Sequence, residues 1–350
     1  MISFDDSIRC YESWLRDQLG AEVVEADLAR KHDRMRESAF AFLRATYWRW
    51  AESVPSVCPD VASAPRILAI GDTHIENFGT WRDADGRLVW GVNDFDEAAV
   101  MPWPLDLVRL AASAMLAQDA GASAEICAAI WKGYVDGLSA PGPVILERDH
   151  RWLREAILLP EKQRAKWWAK LDQRDEAVPE RYRVALAAAL PDQATAFVAF
   201  ARTAGTGSLG RPRYVAVANW RGGPVVRECK VMLASAWAVF AEGAPGLIRA
   251  SDIAGAAIRA VDPHYRIADG LVVRRLSPNS RKIEVDEAGD VLGSPNMLRL
   301  MGREIAGCHA ADIGRLVGLR RDVAGRDARW LEQQARQAAE AIRQDFAEFA

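Results

Sequence analysis

Asp72, His74 and Asn77 crowd into the run Gly71-Asp72-Thr73-His74-Ile75-Glu76-Asn77, and two more carboxylates follow in Asn93-Asp94-Phe95-Asp96. Side chains of these types can support metal-assisted acid–base chemistry. One Asp orients or deprotonates a hydroxyl, while an Asn and a second Asp offer oxygen ligands to Mg²⁺. Far downstream lies Gly205-Thr206-Gly207-Ser208-Leu209-Gly210. Glycines at that spacing let backbone N–H groups approach phosphate oxygens closely. Lys230 follows on an apolar run, positioned to meet a triphosphate. Together these residues fit phosphoryl transfer from a nucleotide. Asp72 is the candidate base. Asn77 and Asp94 are the candidate metal ligands, with Asp96 beside them. Gly205, Gly207, Ser208 and Gly210 form the candidate phosphate cover, and Lys230 the clamp. ATP and Mg²⁺ are the cofactors this chemistry implies.

Each residue also has a plainer reading. A G-x-G-x-x-G alone is a common turn before a strand, and a lone strand lysine is usually solvated. A dinucleotide fold needs such a loop between a strand and a helix, whereas this one stands between a helical stretch and a strand. Asp72 and Asp94 have the firmer case, because acids at the tips of apolar strands are costly to place for stability alone. His74 reads equally as a metal or phosphate contact and as a brace for its own loop. Arg44 reads as a salt-bridge partner within the site or as a contact for an anionic substrate, the structural role being preferred. Asp106 reads as a helix cap that also orients the Asp72 loop, and His309 as a satisfied helix histidine.

The elements that position these groups follow from periodicity. Arg66–Ile70 is an apolar strand, Asp85-Gly86 a turn, and Arg87–Val92 a returning strand, so one hairpin carries the acids to a single rim. Residues 3–52 read as helices, and residues 54–65, with three prolines, as a connector. A helix is expected over 105–118, and only helical periodicity appears between 122 and 202. Trp152, Trp167 and Trp168 in that stretch read as packing residues.

The character then changes. Strands are expected at 214–219, 225–232, 271–276 and 282–285, with helices at 233–242 and 251–261. The last sixty residues are helical, with Leu331, Ala335, Ala338, Ile342, Phe346 and Phe349 on one face of the final helix. The fold class is therefore α+β. It comprises a helical lobe with the acidic hairpin (1–203), a small antiparallel β lobe (204–290) and C-terminal helices packed on the helical lobe (291–350).

Composition narrows the functional classes. The 350 residues are 50% hydrophobic and carry a formal net charge of -3, with both signs mixed along the chain. Neither nucleic acid nor an anionic membrane is an expected partner. No apolar run approaches membrane-spanning length, and no secretory leader is expected. Five scattered cysteines without a CxxC pair argue for a reducing compartment, so a cytoplasmic location is expected.

The segments Gly71-Asp72-x-His74-x-x-Asn77 and Asn93-Asp94-Phe95-Asp96 resemble the catalytic and metal-binding motifs of the aminoglycoside and choline phosphotransferases, members of the protein-kinase-like superfamily. More closely, the chain resembles an uncharacterised bacterial family, domain-of-unknown-function family 2252. That resemblance runs nearly end to end. It rests on KHDRMRESAFAFLR (31–44), GDTHIENFG, NDFDEAAVMPWPLDLVRLAAS, GTGSLGRPRYV, RECK and VVRRLSPNSRKI. It implies a two-lobed kinase-like fold in which the Gly-rich lobe follows the catalytic loop, hence a circular permutation. It also implies a nucleotide and a small hydroxylated acceptor as partners, and a helix acid pairing with Lys230. Asp252 is preferred for that pairing over Glu242, on its place in the family pattern. No Arg precedes Asp72, which favours constitutive competence over phospho-switching.

Three alternatives share these residues. A kinase-fold AMP transferase uses the same groups with the nucleotide reversed. A non-catalytic nucleotide-binding module needs no base. A metallophosphoesterase would use Asp72 and His74, but the later histidines, His150, His264 and His309, lack the required Gly-Asn-His context.

Overall fold

The computed structural model describes residues 2–118 and 122–350. Five helices open the chain: Phe4–Leu19, Glu25–Glu37, Ala39–Ala45, Tyr47–Val57 and the short Pro59–Ala62. The first is started by Ser3, whose hydroxyl accepts from the Asp6 amide, and carries Asp5 and Asp6 at its positive end. Its Phe4, Tyr11 and Leu15 are buried. The expected proline connector is instead mostly helix. Pro55 lies inside the fourth helix and Pro59 opens the fifth, where a missing N–H costs nothing.

The acidic stretch is not one hairpin from Arg66 onward. Strand β1 (Arg66–Ala69) pairs antiparallel with β4 (Ala99–Pro102), bringing Ile67 opposite Met101. The hairpin is formed by β2 (Phe78–Arg82) and β3 (Leu88–Val92), with the short β5 (Val144–Ile145) on its outer edge. The turn falls where the sequence put it, and Gly86 adopts φ 77° there. Two loops therefore converge. Residues 70–77 join β1 to β2, residues 93–98 join β3 to β4, and the Asn93 amide donates to the Asn77 carbonyl at 3.4 Å.

The strand-rich segment is a five-stranded antiparallel sheet in the order β6-β7-β8-β10-β9. Its strands are β6 (Phe197–Ala201), β7 (Arg213–Trp220), β8 (Gly223–Val231), β9 (Arg266–Ala268) and β10 (Leu271–Leu276). Strand β6 lies where only helical periodicity was expected. Residues 282–285 form no strand, and Lys282 makes a single bridge to Gly79 of β2. The expected helices at 233–242 and 251–261 shrink to the turns Trp237–Ala241 and Ala250–Ala254. Trp167 and Trp168 pack edge-to-face beside a small core formed by Leu171, Phe200, Val215 and Val226, as their packing reading requires.

Three C-terminal helices follow, Pro295–His309, Leu316–Ala324 and Ala328–Phe349, the first packed on the helix Ser123–Ser139 and the last on the helix Pro104–Ala117. Along the last of them the apolar stripe packs into the main core. Among the described residues, no helix is long and apolar enough to cross a membrane.

Pro295–His309 lies against Ser123–Ser139 so closely that a Cβ on Gly133 would overlap the Arg299 carbonyl, and one on Gly302 the Ile130 carbonyl. Ala normally stabilises a helix interior by about 1 kcal/mol over Gly. Backbone overlap reverses that sign here. Gly133→Ala is expected to destabilise the fold by about 2 kcal/mol, seen as a lower urea midpoint at unchanged m-value.

Candidate active site

The loop after β1 is held from below by one buried carboxylate. Asp106 Oδ2 accepts from the Ile70 amide and Oδ1 from the Gly71 amide, both at 2.8 Å. His309 Nε2 lies 2.9 Å from Asp106 Oδ2, and its Nδ1 lies 2.7 Å from the Tyr134 hydroxyl. His309 is thus the satisfied helix histidine the sequence suggests. Asp106 orients the loop but does not cap its own helix (Pro104–Ala117), which has no side-chain cap. Gly71 has φ 90°, and a Cβ there would strike the Glu97 carbonyl and the Tyr47 hydroxyl, so no other residue fits.

This support leaves Asp72 facing the cleft. Arg109 grips only one of its oxygens, with Nε at 2.9 Å and Nη2 at 2.6 Å from Oδ1. Arg109 is buried, donates also to the Leu43 carbonyl, and lies against the Tyr47 and Trp50 rings. Oδ2 of Asp72 therefore points to the Gly-rich loop, where a Cβ on Gly207 would stand 3.6 Å away. A carboxylate fixed through one oxygen and open at the other has the form of a positioned base.

Asn77 ties the two loops together. Its Nδ2 donates to the Asp72 carbonyl (2.8 Å) and the Asp94 carbonyl (3.2 Å). Its Oδ1 accepts from Lys282 Nζ at 3.3 Å, and the same ammonium lies 3.7 Å from Asp94 Oδ2. A cation thus already bridges the two expected metal ligands. One amide oxygen and one carboxylate suit Mg²⁺, which keeps waters and substrate phosphates in the rest of its shell. Burial would raise the Asp94 proton affinity, but Lys230, Lys282 and Arg274 outweigh it and hold the group well below the usual carboxylate range. Asp96 shifts the other way. Burial and the neighbouring Asp94 charge raise it, only partly offset by Lys230 and Arg211.

Lys230 pairs with Asp96 and lies 3.7 Å from Asp94 Oδ1. The helix acids do not serve this role. Asp252 is half-exposed and pairs with Arg249, and Glu242 holds Arg66 and the Trp237 indole. The acid that neutralises Lys230 comes from the β3–β4 loop itself. Arg44 forms a salt bridge of 2.7 Å with buried Glu76, which realises its structural reading. His74 is buried and lines the cleft. Its Nδ1 accepts from the Glu76 amide at 3.2 Å. Burial, then Arg44, Lys282 and Arg109, hold its pKa well below the ordinary value, so the ring is neutral and braces its own loop.

The glycines of the loop divide by role. Gly205 (φ 77°) makes the turn, and Gly207 is the close approach to Arg44 and Asp72. At Gly210 (φ 93°) a Cβ would meet Leu28 at 2.5 Å, so that glycine serves packing against the N-terminal helices. Ser208 Oγ accepts from Arg213 Nη2 at 2.8 Å. Lys31, 2% exposed, donates to the Gly207 carbonyl at 2.9 Å and to the Tyr11 hydroxyl at 3.2 Å. Its ammonium also lies 4.7 Å from the Tyr11 ring and 4.8 Å from the Trp48 ring. It latches the loop to the helical lobe.

The result is a cleft lined by Asp72, His74, Asn77, Asp94 and Gly205–Ser208. It shares Asp94, Lys282, Arg44 and Gly205 with a second, larger chamber. Four positioning residues escaped the sequence reading: Arg109, Lys282, Lys31 and Arg211. Arg109 stands three residues after Asp106 on the same helix face, a signal that could have found it. Lys31 and Lys282 lie in segments already picked out, but nothing local said what they reach.

Residues 23–140 match a family model described as "Uncharacterized protein conserved in bacteria (DUF2252)". The match takes in Lys31, Asp72, Asn77, Asp94 and Arg109, and stops before the Gly-rich loop and Lys230. No curated protein and no solved structure matches the chain.

Two outcomes follow from this geometry. Lys31→Met should release the loop, raising hydrogen-exchange rates of the 205–211 amides about tenfold, with far less change in the β1 and β4 amides. Asp94→Asn should lower the urea midpoint at pH 7, because Lys230 and Lys282 lose their counter-charge. A carboxylate held below its unfolded value stabilises in full only above that value and loses this as pH falls toward its folded one. The gap between Asp94→Asn and the unaltered protein should therefore narrow as pH falls below about 4 in paired urea titrations.

Proposed function

We propose that this chain is an ATP- and Mg²⁺-dependent phosphotransferase with a circularly permuted, protein-kinase-like arrangement, acting on a small hydroxylated acceptor. The observation that carries the reading is the closure of the Gly-rich loop on the Asp72 carboxylate, with Gly207 against Asp72 and Lys230 against Asp94 and Asp96. Stability alone gives little reason to gather two lysines, three carboxylates and a glycine loop around a cleft. Lys230 lies on the second strand after the loop, which is where a kinase phosphate lysine belongs.

The two chambers divide the work. The nucleotide occupies the larger one, with its terminal phosphate at the junction beside Asp94 and Lys282. The acceptor enters the smaller one, where Asp72 Oδ2 orients its hydroxyl and takes the proton as the oxygen attacks. Arg109 keeps that carboxylate aimed, and the neutral His74 adds no charge beside it. Asn77 and Asp94 would hold Mg²⁺, which when bound neutralises charge on the phosphate oxygens. Lys282, whose ammonium lies between Asn77 and Asp94, would then be left to face the phosphates.

Mg·ATP should raise the melting temperature, and Asp72→Asn should cut turnover about 10³-fold while leaving the Mg·ATP dissociation constant within about threefold. Titration calorimetry and transfer of label from γ-labelled ATP measure the two halves. Full activity in Asp72→Asn, or label arriving only from the α position, defeats this mechanism.

A further inference from the structure

Two residues before Lys230 on β8 stands Glu228, which is 1% exposed and takes three guanidinium groups. Arg213 Nη1 lies 2.6 Å and Arg274 Nε 2.8 Å from its Oε1, and Arg202 binds Oε2. The sheet register explains the convergence. Arg274 on β10 is directly opposite Glu228, and Arg213 on β7 is directly opposite Lys230. All four side chains share one face of the sheet, where period-two alternation puts them.

This arrangement is poor for stability. Arg213 across from Lys230 is a like-charge pair, which destabilises a sheet. Three guanidinium groups share one carboxylate; Arg274 is also balanced by Asp94 and Asp96, which leaves Arg202 and Arg213 on Glu228 with one charge in excess. Burial, and repulsion from Arg213 and Arg274, lower the proton affinity of Arg202, and only Glu228 opposes that. The cluster is not sealed in the core. Arg202 and Arg274 keep 33% and 26% of their side-chain surface, and both face the larger chamber. Among the described residues, Arg202 Nε and Nη2 and Arg274 Nη1 have no partner. Guanidinium forks match the oxygen spacing of phosphate, and a second anion would relieve the excess.

We propose that Arg202, Arg213 and Arg274, organised by Glu228, form a phosphate-binding site on the wall of the larger chamber, separate from the Asn77–Asp94 pair. This deepens the phosphotransferase reading by adding a phosphate contact that needs no metal. The ligand chemistry is a phosphate group with adjacent anionic charge. It has two candidate sources, the triphosphate of the nucleotide or a phosphate already carried by the acceptor.

The test is titration calorimetry with tripolyphosphate in EDTA, on the unaltered chain and on Arg202→Gln and Arg274→Gln. Glu228 keeps two arginine partners in each variant, and circular dichroism with a urea midpoint confirms folding. Tripolyphosphate should bind, and each substitution should weaken it about tenfold. No binding, or binding indifferent to both substitutions, overturns the site. ATP displacing tripolyphosphate assigns the site to the nucleotide. Inorganic phosphate binding in an Arg202-dependent way when ATP is saturating assigns it to a phosphorylated acceptor. Arg-dependent tripolyphosphate binding without any Mg·ATP binding or turnover upholds the site and defeats the phosphotransferase reading.

Discussion

The acidic run from Asp94 to Glu97 cannot be buried without cations, and the chain brings those cations from elsewhere. Lys230 reaches Asp96 and Asp94 from β8, Lys282 reaches Asp94 from beyond β10, and Arg211 reaches Asp96 and Glu97 from the Gly-rich loop. Glu97 also accepts the Ala236 amide at 2.6 Å. An uncompensated buried carboxylate costs several kcal/mol, so the β3–β4 loop and the five-stranded sheet are held together by charge balance as much as by apolar contact. The cleft is the part of that interface left unfilled.

How far this was legible depended on whether a group acts locally. Asp72, Asn77 and Asp94 announced themselves through spacing, because the loops that carry them are short and bounded by apolar strands. Arg109 and Lys282 did not, since their meaning lies in partners 37 and 205 residues away. The pairing of Lys230 was misjudged for a related reason. A kinase-like pattern leads one to seek its acid on a helix, whereas the carboxylate comes from the β3–β4 loop. Strand β6 was missed because Phe197–Ala201, FVAFA, is a short apolar run that periodicity cannot tell from buried helix. The strand expected at 282–285 does not form, because only Lys282 bridges to a neighbour.

The Gly-rich segment shows how a sequence pattern can be right for mixed reasons. Gly207 allows the approach to Asp72, Gly205 makes the turn, and Gly210 clears Leu28 and Leu15. Two of the three belong to the site, and the third belongs to the packing that seats it. Lys31 joins both demands, because one ammonium binds the Gly207 carbonyl and two aromatic rings of the helical lobe.

The pairing of Lys230 with Asp96 spans 134 residues, and the acid is the earlier partner. At a synthesis rate of roughly 5–20 residues per second, the carboxylates leave the ribosome about 7–27 s before their ammonium exists. In that interval residues 66–102 can form their strands but cannot bury residues 94–97. Residues 94–97 stay open and hydrated until Arg211, Lys230 and Lys282 have been made.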